Sequence, residues 1–219
     1  MTPERNQQIK WISITFLVIS LALIMRDSRW RLVGNHQGYQ PAQPIEFSHR
    51  LHAGELEVPC QYCHSSAATS KLAGIPSTGL CMNCHKFVPA PLDQIRLADA
   101  VALQAGLMPK PVVSGEIAKI YRDQGLGPDL KPLKSPSHKS LAWIKVHNLP
   151  DFVFFNHAPH IAADVDCSKC HGDVAAMERI TQVETLGMGW CLDCHRSVER
   201  PESIIEQTPD ISDCSVCHY

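Results

Sequence analysis

Phe47-Ser48-His49-Arg50-Leu51-His52, followed seven residues on by Cys60-Gln61-Tyr62-Cys63-His64, is the stretch on which the fold turns. Its second half is a C-x-x-C-H run. The run recurs at Cys81-Cys84-His85, Cys167-Cys170-His171, Cys191-Cys194-His195 and Cys214-Cys217-His218. Together the five runs use all ten cysteines of the 219-residue chain. Two thiols one helical turn apart can reach the two vinyl groups of one macrocycle, and the next histidine then falls beneath the iron. This is the attachment signature of c-type haem. Zinc knuckles and disulfides also use C-x-x-C pairs, but neither needs a histidine after every second cysteine. The sequence therefore predicts five covalently bound haem c groups, with His64, His85, His171, His195 and His218 as proximal ligands.

Five macrocycles change what the core is. Beyond residue 25, fewer than forty residues serve each haem. So little chain builds a thin peptide core, and the macrocycles become the main buried apolar bodies. Sixteen prolines and twelve glycines suit a loop-rich wrapping, so the expected fold class is mostly α and loop. A net charge of -2 gives no support to a nucleic-acid partner.

The opening stretch has an imperfect second copy at Phe155-Asn156-His157-Ala158-Pro159-His160, six residues before Cys167. Sixteen residues separate His64 from Cys81, and nineteen separate His171 from Cys191; the second copy alone continues to a further site at Cys214. His49 with His52, and His157 with His160, are i, i+3 pairs. On a helix they leave from adjacent faces, so one helix can wedge between two haems and ligate both. The plainer reading is a pair of surface histidines. Its weakness is that the pair stands just upstream of C-x-x-C-H twice over.

Ahead of the first copy lies an uncharged apolar run, residues 11–25, between Lys10 and Arg26. Fifteen residues fall short of the roughly 20 that usually span a bilayer. Snorkelling by Lys10 and Arg26 makes a thin span feasible, and no convincing cleavage site follows, so a retained single-pass anchor is expected rather than a cleaved signal peptide. Arg26, Arg29 and Arg31 outnumber Arg5 and Lys10, which by charge alone would place the C-terminal side inside. Haem attachment is extracytoplasmic, however, and five attachment sites outweigh one arginine. The expected division is a cytoplasmic tail over 1–8, a transmembrane anchor over 9–26, a two-haem module over 27–85, an insert over 86–146 and a three-haem module over 147–219.

The insert lacks cysteine. Leu92, Ile95, Ala98, Val101, Ala102 and Ala105 recur with a helical period. Ser114 is placed to cap a second short helix carrying Ile117, Ile120 and Tyr121 and closed by Gly125. Trp143–His147 and Phe152–Phe155 read as two short strands around Asn148-Leu149-Pro150-Asp151. The insert is either packing between haem groups or a docking surface for partner subunits.

F-x-H-x-x-H followed by C-x-x-C-H resembles the three-haem cytochromes of the c7 type and the related class III multihaem cytochromes, over residues 47–85 and 155–218. The resemblance implies that His49 and His52 ligate the haems of His64 and His85, and that His157 and His160 ligate those of His171 and His195. It also implies a ligand for the fifth haem just before Cys191. Met188 stands there where those cytochromes have histidine, so Met188 is the expected distal ligand, with His147 the alternative. His36, His138 and His147 are otherwise expected to be non-ligands. A His/Met pair raises the potential of an iron relative to a His/His pair.

With its N-terminal apolar run, two-plus-three haem order and Met188-Gly189-Trp190-Cys191, the whole chain is similar to the pentahaem subunits of alternative complex III, a bacterial quinol-oxidising assembly. That likeness implies an electron-transfer subunit of a membrane quinol:acceptor oxidoreductase, with its haem domain on the periplasmic side of the cytoplasmic membrane. Its partners would be an iron–sulfur subunit, quinol-binding membrane subunits and a monohaem cytochrome, and its acceptor a soluble cytochrome or a small copper protein. Two other readings stay open: a membrane-anchored multihaem quinol dehydrogenase, and a multihaem reductase with one open haem.

Overall fold

A computed structural model describes residues 3–26, 35–134, 141–198 and 210–218; the sequence reading of His138 as a non-ligand lies outside the described residues. Helices and loops make up the described chain. The helices are α1 (Pro3–Arg26), α2 (Cys60–Cys63), α3 (Thr78–His85), α4 (Leu92–Gln104), α5 (Gly115–Asp123), α6 (His157–Ala162), α7 (Ser168–His171), α8 (Met188–Ser197) and α9 (Cys214–Cys217). The buried hydrophobic residues among the described ones are few: Ile45, Ala67, Ala90, Ile117, Ile120, Tyr121 and Val146. That is too little to hold the chain together by peptide packing alone, as a haem-centred core requires.

The N-terminal helix departs from expectation. α1 has 24 residues, but among the described residues no helix is long and apolar enough to cross a membrane. The span expected over residues 9–26 is thus not found among the described residues. Glu4, Arg5, Asn6, Gln7, Gln8 and Lys10 occupy the first turns of α1, and the apolar run behind them is shorter than the roughly 20 residues that usually cross a bilayer. From Trp11 (64 % exposed) through Phe16 (74 %) to Leu23 (60 %), α1 presents apolar side chains to its surroundings.

The insert folds as its local signals direct. α4 covers the periodic stretch from Leu92. Ser114 caps α5 by accepting a hydrogen bond from the Ile117 amide at 3.3 Å, and Gly125 follows the helix with φ 71°. Ile117, Ile120 and Tyr121 are buried. α5 lies against α3: the Tyr121 hydroxyl donates to the His85 carbonyl at 2.6 Å, Thr78 donates to Asp123, and Gln124 donates to Thr78 at 2.6 Å. This half of the insert braces the second attachment helix.

The two strands expected at 143–147 and 152–155 do not form. Gln43 takes the place of a neighbouring strand, its side-chain amide donating to the Ile144 carbonyl and accepting from the Ile144 amide, both at 2.9 Å. The Asn148 amide donates to the Gln182 side chain at 3.0 Å, and Gln182 is fully buried. With its backbone groups met by side chains, the segment has no need of a ladder. Farther on, Val153 makes only an isolated antiparallel bridge, to His218.

Candidate haem-binding centres

Both copies of the F-x-H-x-x-H stretch build the same ring cluster. In the first, Phe47 meets His49 edge-on at 4.9 Å and stacks on His52 at 4.3 Å. In the second, Phe155 meets His157 edge-on at 4.8 Å and lies tilted against His160, also at 4.8 Å. The later histidine of each pair is held by its own helical turn. His52 Nδ1 donates to the Ser48 carbonyl and His160 Nδ1 to the Asn156 carbonyl, each at 2.8 Å. The turns themselves differ. Arg50–Glu55 is a π-turn, with the Leu56 amide reaching back to Leu51, whereas α6 is an ordinary helix N-capped by Asn156. π-turns inside helical segments are frequent at functional sites.

The structure sets these histidines against the attachment-site histidines. His52 faces His85 with ring centroids 6.1 Å apart, His157 faces His171 at 6.4 Å with planes 6° from parallel, and His160 faces His195 at 6.0 Å. An imidazole bound at about 2 Å on each side of one iron puts two ring centroids roughly 6 Å apart. The residues present thus fit bis-imidazole haem at three sites. His49 lies beside His64: burial, reinforced by His64 and His52, lowers its pKa to about 4. Its Nδ1 is the one buried side-chain polar atom without a hydrogen-bond partner among the described residues. Burial followed by His157 and His64 also lowers His171. Imidazoles held neutral in this way keep a lone pair available for a metal.

The second ring nitrogen fixes which lone pair that is. His64 Nδ1 donates to the Gly74 carbonyl at 2.7 Å, His85 to Val88 at 2.9 Å, His195 to Ile211 at 2.7 Å and His218 to Phe152 at 3.2 Å. His157 donates to Lys71 at 2.7 Å. With the proton on Nδ1, Nε2 is left as the metal-binding atom. Gly172, immediately after His171, has φ 70°, and a Cβ there would meet Val183 Cγ2 at 2.7 Å. Only glycine fits that turn.

All ten thiols are free, in pairs spaced along short helical turns. Burial raises Cys63, Cys81, Cys167, Cys170 and Cys191, and the smaller contributions show which sites are neighbours. Cys63 and Cys81 feel thiols of one another's sites, Cys167 hydrogen-bonds Cys60, Cys170 feels Cys194 and Cys191, and Cys191 feels Cys217. In space the attachment sites therefore run second, first, third, fourth, fifth. The two modules meet through the first and third sites, and His157 of one module is tethered to Lys71 of the other.

At the fifth site, His218 stacks on Phe152 at 5.8 Å. Met188 opens α8 and is 66 % exposed. His36 Nδ1 donates to the Val146 carbonyl at 3.3 Å, and its ring packs edge-on to Tyr39. His147 lies at the third site, its Nε2 3.1 Å from His171 Nδ1. Sequence spacing gave no sign of that contact, since the two stand 24 positions apart with α6 between them.

Comparison with known proteins agrees with the chemistry of these centres. Residues 153–219 match the family of cytochrome c7 and related cytochromes c. The chain is also 26 % identical over 199 residues to the multiheme cytochrome c subunit of menaquinone reductase from Nitratidesulfovibrio vulgaris, covering 82 % of this chain and 78 % of that one. The C-terminal stretch is thus similar to cytochromes c of the c7 type, and most of the chain to a multihaem cytochrome c subunit.

Proposed function

We propose that this chain is a pentahaem electron-transfer subunit of a quinone-linked membrane oxidoreductase of the alternative complex III kind. The observation that carries the proposal is the set of histidine pairs at 6.0–6.4 Å, each aimed by a neighbouring hydrogen bond. When bound, haem supplies reversible one-electron chemistry at iron. The protein's part is to space and tune the groups. His49 with His64, His52 with His85, His157 with His171 and His160 with His195 would hold four irons from both sides, which would leave no place for a substrate. His218 holds the fifth from one side, with Met188 as its partner. Paired in this way, the residues favour relay over catalysis and argue against a reductase with an open haem.

The contiguous row of sites, with the second and fifth at its ends, supports a relay between two partners. Electrons would arrive from quinol through an iron–sulfur subunit and leave to a monohaem or soluble cytochrome or a small copper protein. The haem-bearing region lies outside the cytoplasm, where such haems are attached. α1, whose large apolar side chains are exposed over two turns and more, joins it to the membrane subunits.

A second reading reverses the current, and the relative favours it: a menaquinone reductase delivers electrons to quinone. Purification of the native complex decides. Five haems by intact mass, a wholly low-spin spectrum and haem reduction on adding quinol support the first reading. Haem oxidation on adding quinone, with no reduction by quinol, supports the second. Fewer than five haems, or a high-spin haem in the resting protein, overturns the pentahaem relay.

A further inference from the structure

Among the attachment-site histidines, one is held differently from the others. His64, His85, His195 and His218 give their Nδ1 proton to backbone carbonyls. His171 instead points Nδ1 at a side chain, His147 Nε2 at 3.1 Å, with ring centroids 4.4 Å apart and planes at 78°. The N···N separation lies within hydrogen-bond reach, and the rings meet edge-on rather than stacked. Because His171 keeps Nε2 for iron, its proton sits on Nδ1. His147 Nε2 must then be the acceptor, and the His147 proton is on Nδ1.

The acceptor is also built in. The preceding Val146 is 7 % exposed, and its carbonyl is 3.3 Å from His36 Nδ1. The following Asn148 is tied through its amide to the fully buried Gln182, which in turn donates to the Glu184 carbonyl at 2.9 Å. Three residues before His147, Gln43 grips both backbone groups of Ile144. Three glutamine or histidine side chains from distant parts of the chain thus hold one short segment so that His147 meets His171.

We propose that His147 is a positioning residue for the third haem, fixing the tautomer, orientation and basicity of its axial ligand His171. The inference rests on the haem-relay reading above. An imidazole nitrogen is a stronger base than an amide oxygen, so it draws the shared proton further and leaves His171 more electron-rich. An electron-rich axial ligand stabilises ferric over ferrous iron, which sets this haem at a lower potential than a carbonyl acceptor would. The third site is where the two modules meet, so the step in potential falls at their junction.

The test uses the full chain, matured with haem, and compares the parent with His147→Ala and His147→Gln by intact mass, electron paramagnetic resonance and optical redox titration. Removing the acceptor should favour the ferrous state of one haem about tenfold, an upward shift of about 59 mV for one electron, with the other four potentials unmoved. His147→Gln supplies an amide oxygen like the carbonyls at the other sites and should shift the same haem upward by less. Five unchanged potentials in both variants overturn the proposal, leaving His147 as packing. A new high-spin signal overturns it in another way, by making His147 an axial ligand. A parent chain that binds no haem by mass overturns the relay reading itself, before any potential is measured.

Discussion

The two copies of the F-x-H-x-x-H stretch agree at their second haem site and differ at their first. At the second site of each copy, the distal histidine is fixed by the carbonyl four residues back and the proximal one by a nearby backbone carbonyl. At the first site, every second contact has changed. His49 Nδ1 is buried without a partner where His157 donates to Lys71, and His64 donates to Gly74 where His171 meets His147. The first and third sites are also the pair through which the modules touch. The hydrogen bonds that hold the paired histidines are repeated where a module is self-contained. Where modules join, the contacts that tune the ligands have diverged.

The strongest way to break this comparison is to remove matched distal ligands. His49→Ala and His157→Ala should each open one axial position and convert one low-spin haem to high-spin, read by electron paramagnetic resonance. If the copies are equivalent as ligand sets, the two variants give the same loss of one low-spin signal. A variant that leaves all the haems low-spin removes that histidine from the ligand set.

The fifth site offers the next largest effect, because it has no counterpart in the first copy. Met188→His should preserve a low-spin haem while lowering one potential, since axial exchange moves haem potentials over a range on the order of 0.8 V. Unchanged potentials, together with no thioether–iron absorption band in the parent, would take Met188 out of the site.

A smaller effect comes from the module junction itself. A Cβ on Gly54 would run into the Ala175 carbonyl, where the π-turn of the first copy lies on the turn at Val174–Ala176. Arg50 reinforces the contact, its amide donating to the Met177 carbonyl at 2.8 Å and its guanidinium to Glu178 at 2.5 Å. Gly54→Ala should therefore destabilise the holoprotein by about 1–3 kcal/mol in denaturant unfolding. An unchanged midpoint would mean that the two turns are not in contact.

What the sequence disclosed and what it hid divide along the same lines. The attachment runs, the duplication, α4 and the Ser114 cap of α5 are local patterns, each read within about a dozen residues. The contacts that place the segment around His147 come from Gln43, His36 and Gln182, all remote in sequence, and a side-chain amide standing in for a strand has no periodic signature. So Trp143–His147 reads as a strand from its composition and is not one. Gly54 looks like an ordinary loop glycine until the carbonyl of Ala175 is found against it. The N-terminal run is legible only in part: its apolarity is visible in sequence, and so are the six polar or charged residues among the first eight of α1.

The smallest predicted effect tests why only the first module uses the insert as a brace. α3 carries the second C-x-x-C-H run, and its C-terminal residue His85, the proposed ligand of the second iron, accepts at its carbonyl from Tyr121 at 2.6 Å. Tyr121 is 1 % exposed, so its hydroxyl has no water to turn to, and burial raises its pKa. Tyr121→Phe keeps the ring packed on α3 and removes one hydrogen bond at a helix end whose carbonyls already lack intrahelical partners. The cost should be about 1 kcal/mol, seen as a modest drop in unfolding midpoint. The potential of the second haem should stay where it is, because His85 Nδ1 still donates to Val88 at 2.9 Å and the ligand's basicity is untouched. A shift in that potential would mean that α5 tunes the iron as well as bracing the helix, and the insert would then be part of the relay's wiring rather than its frame.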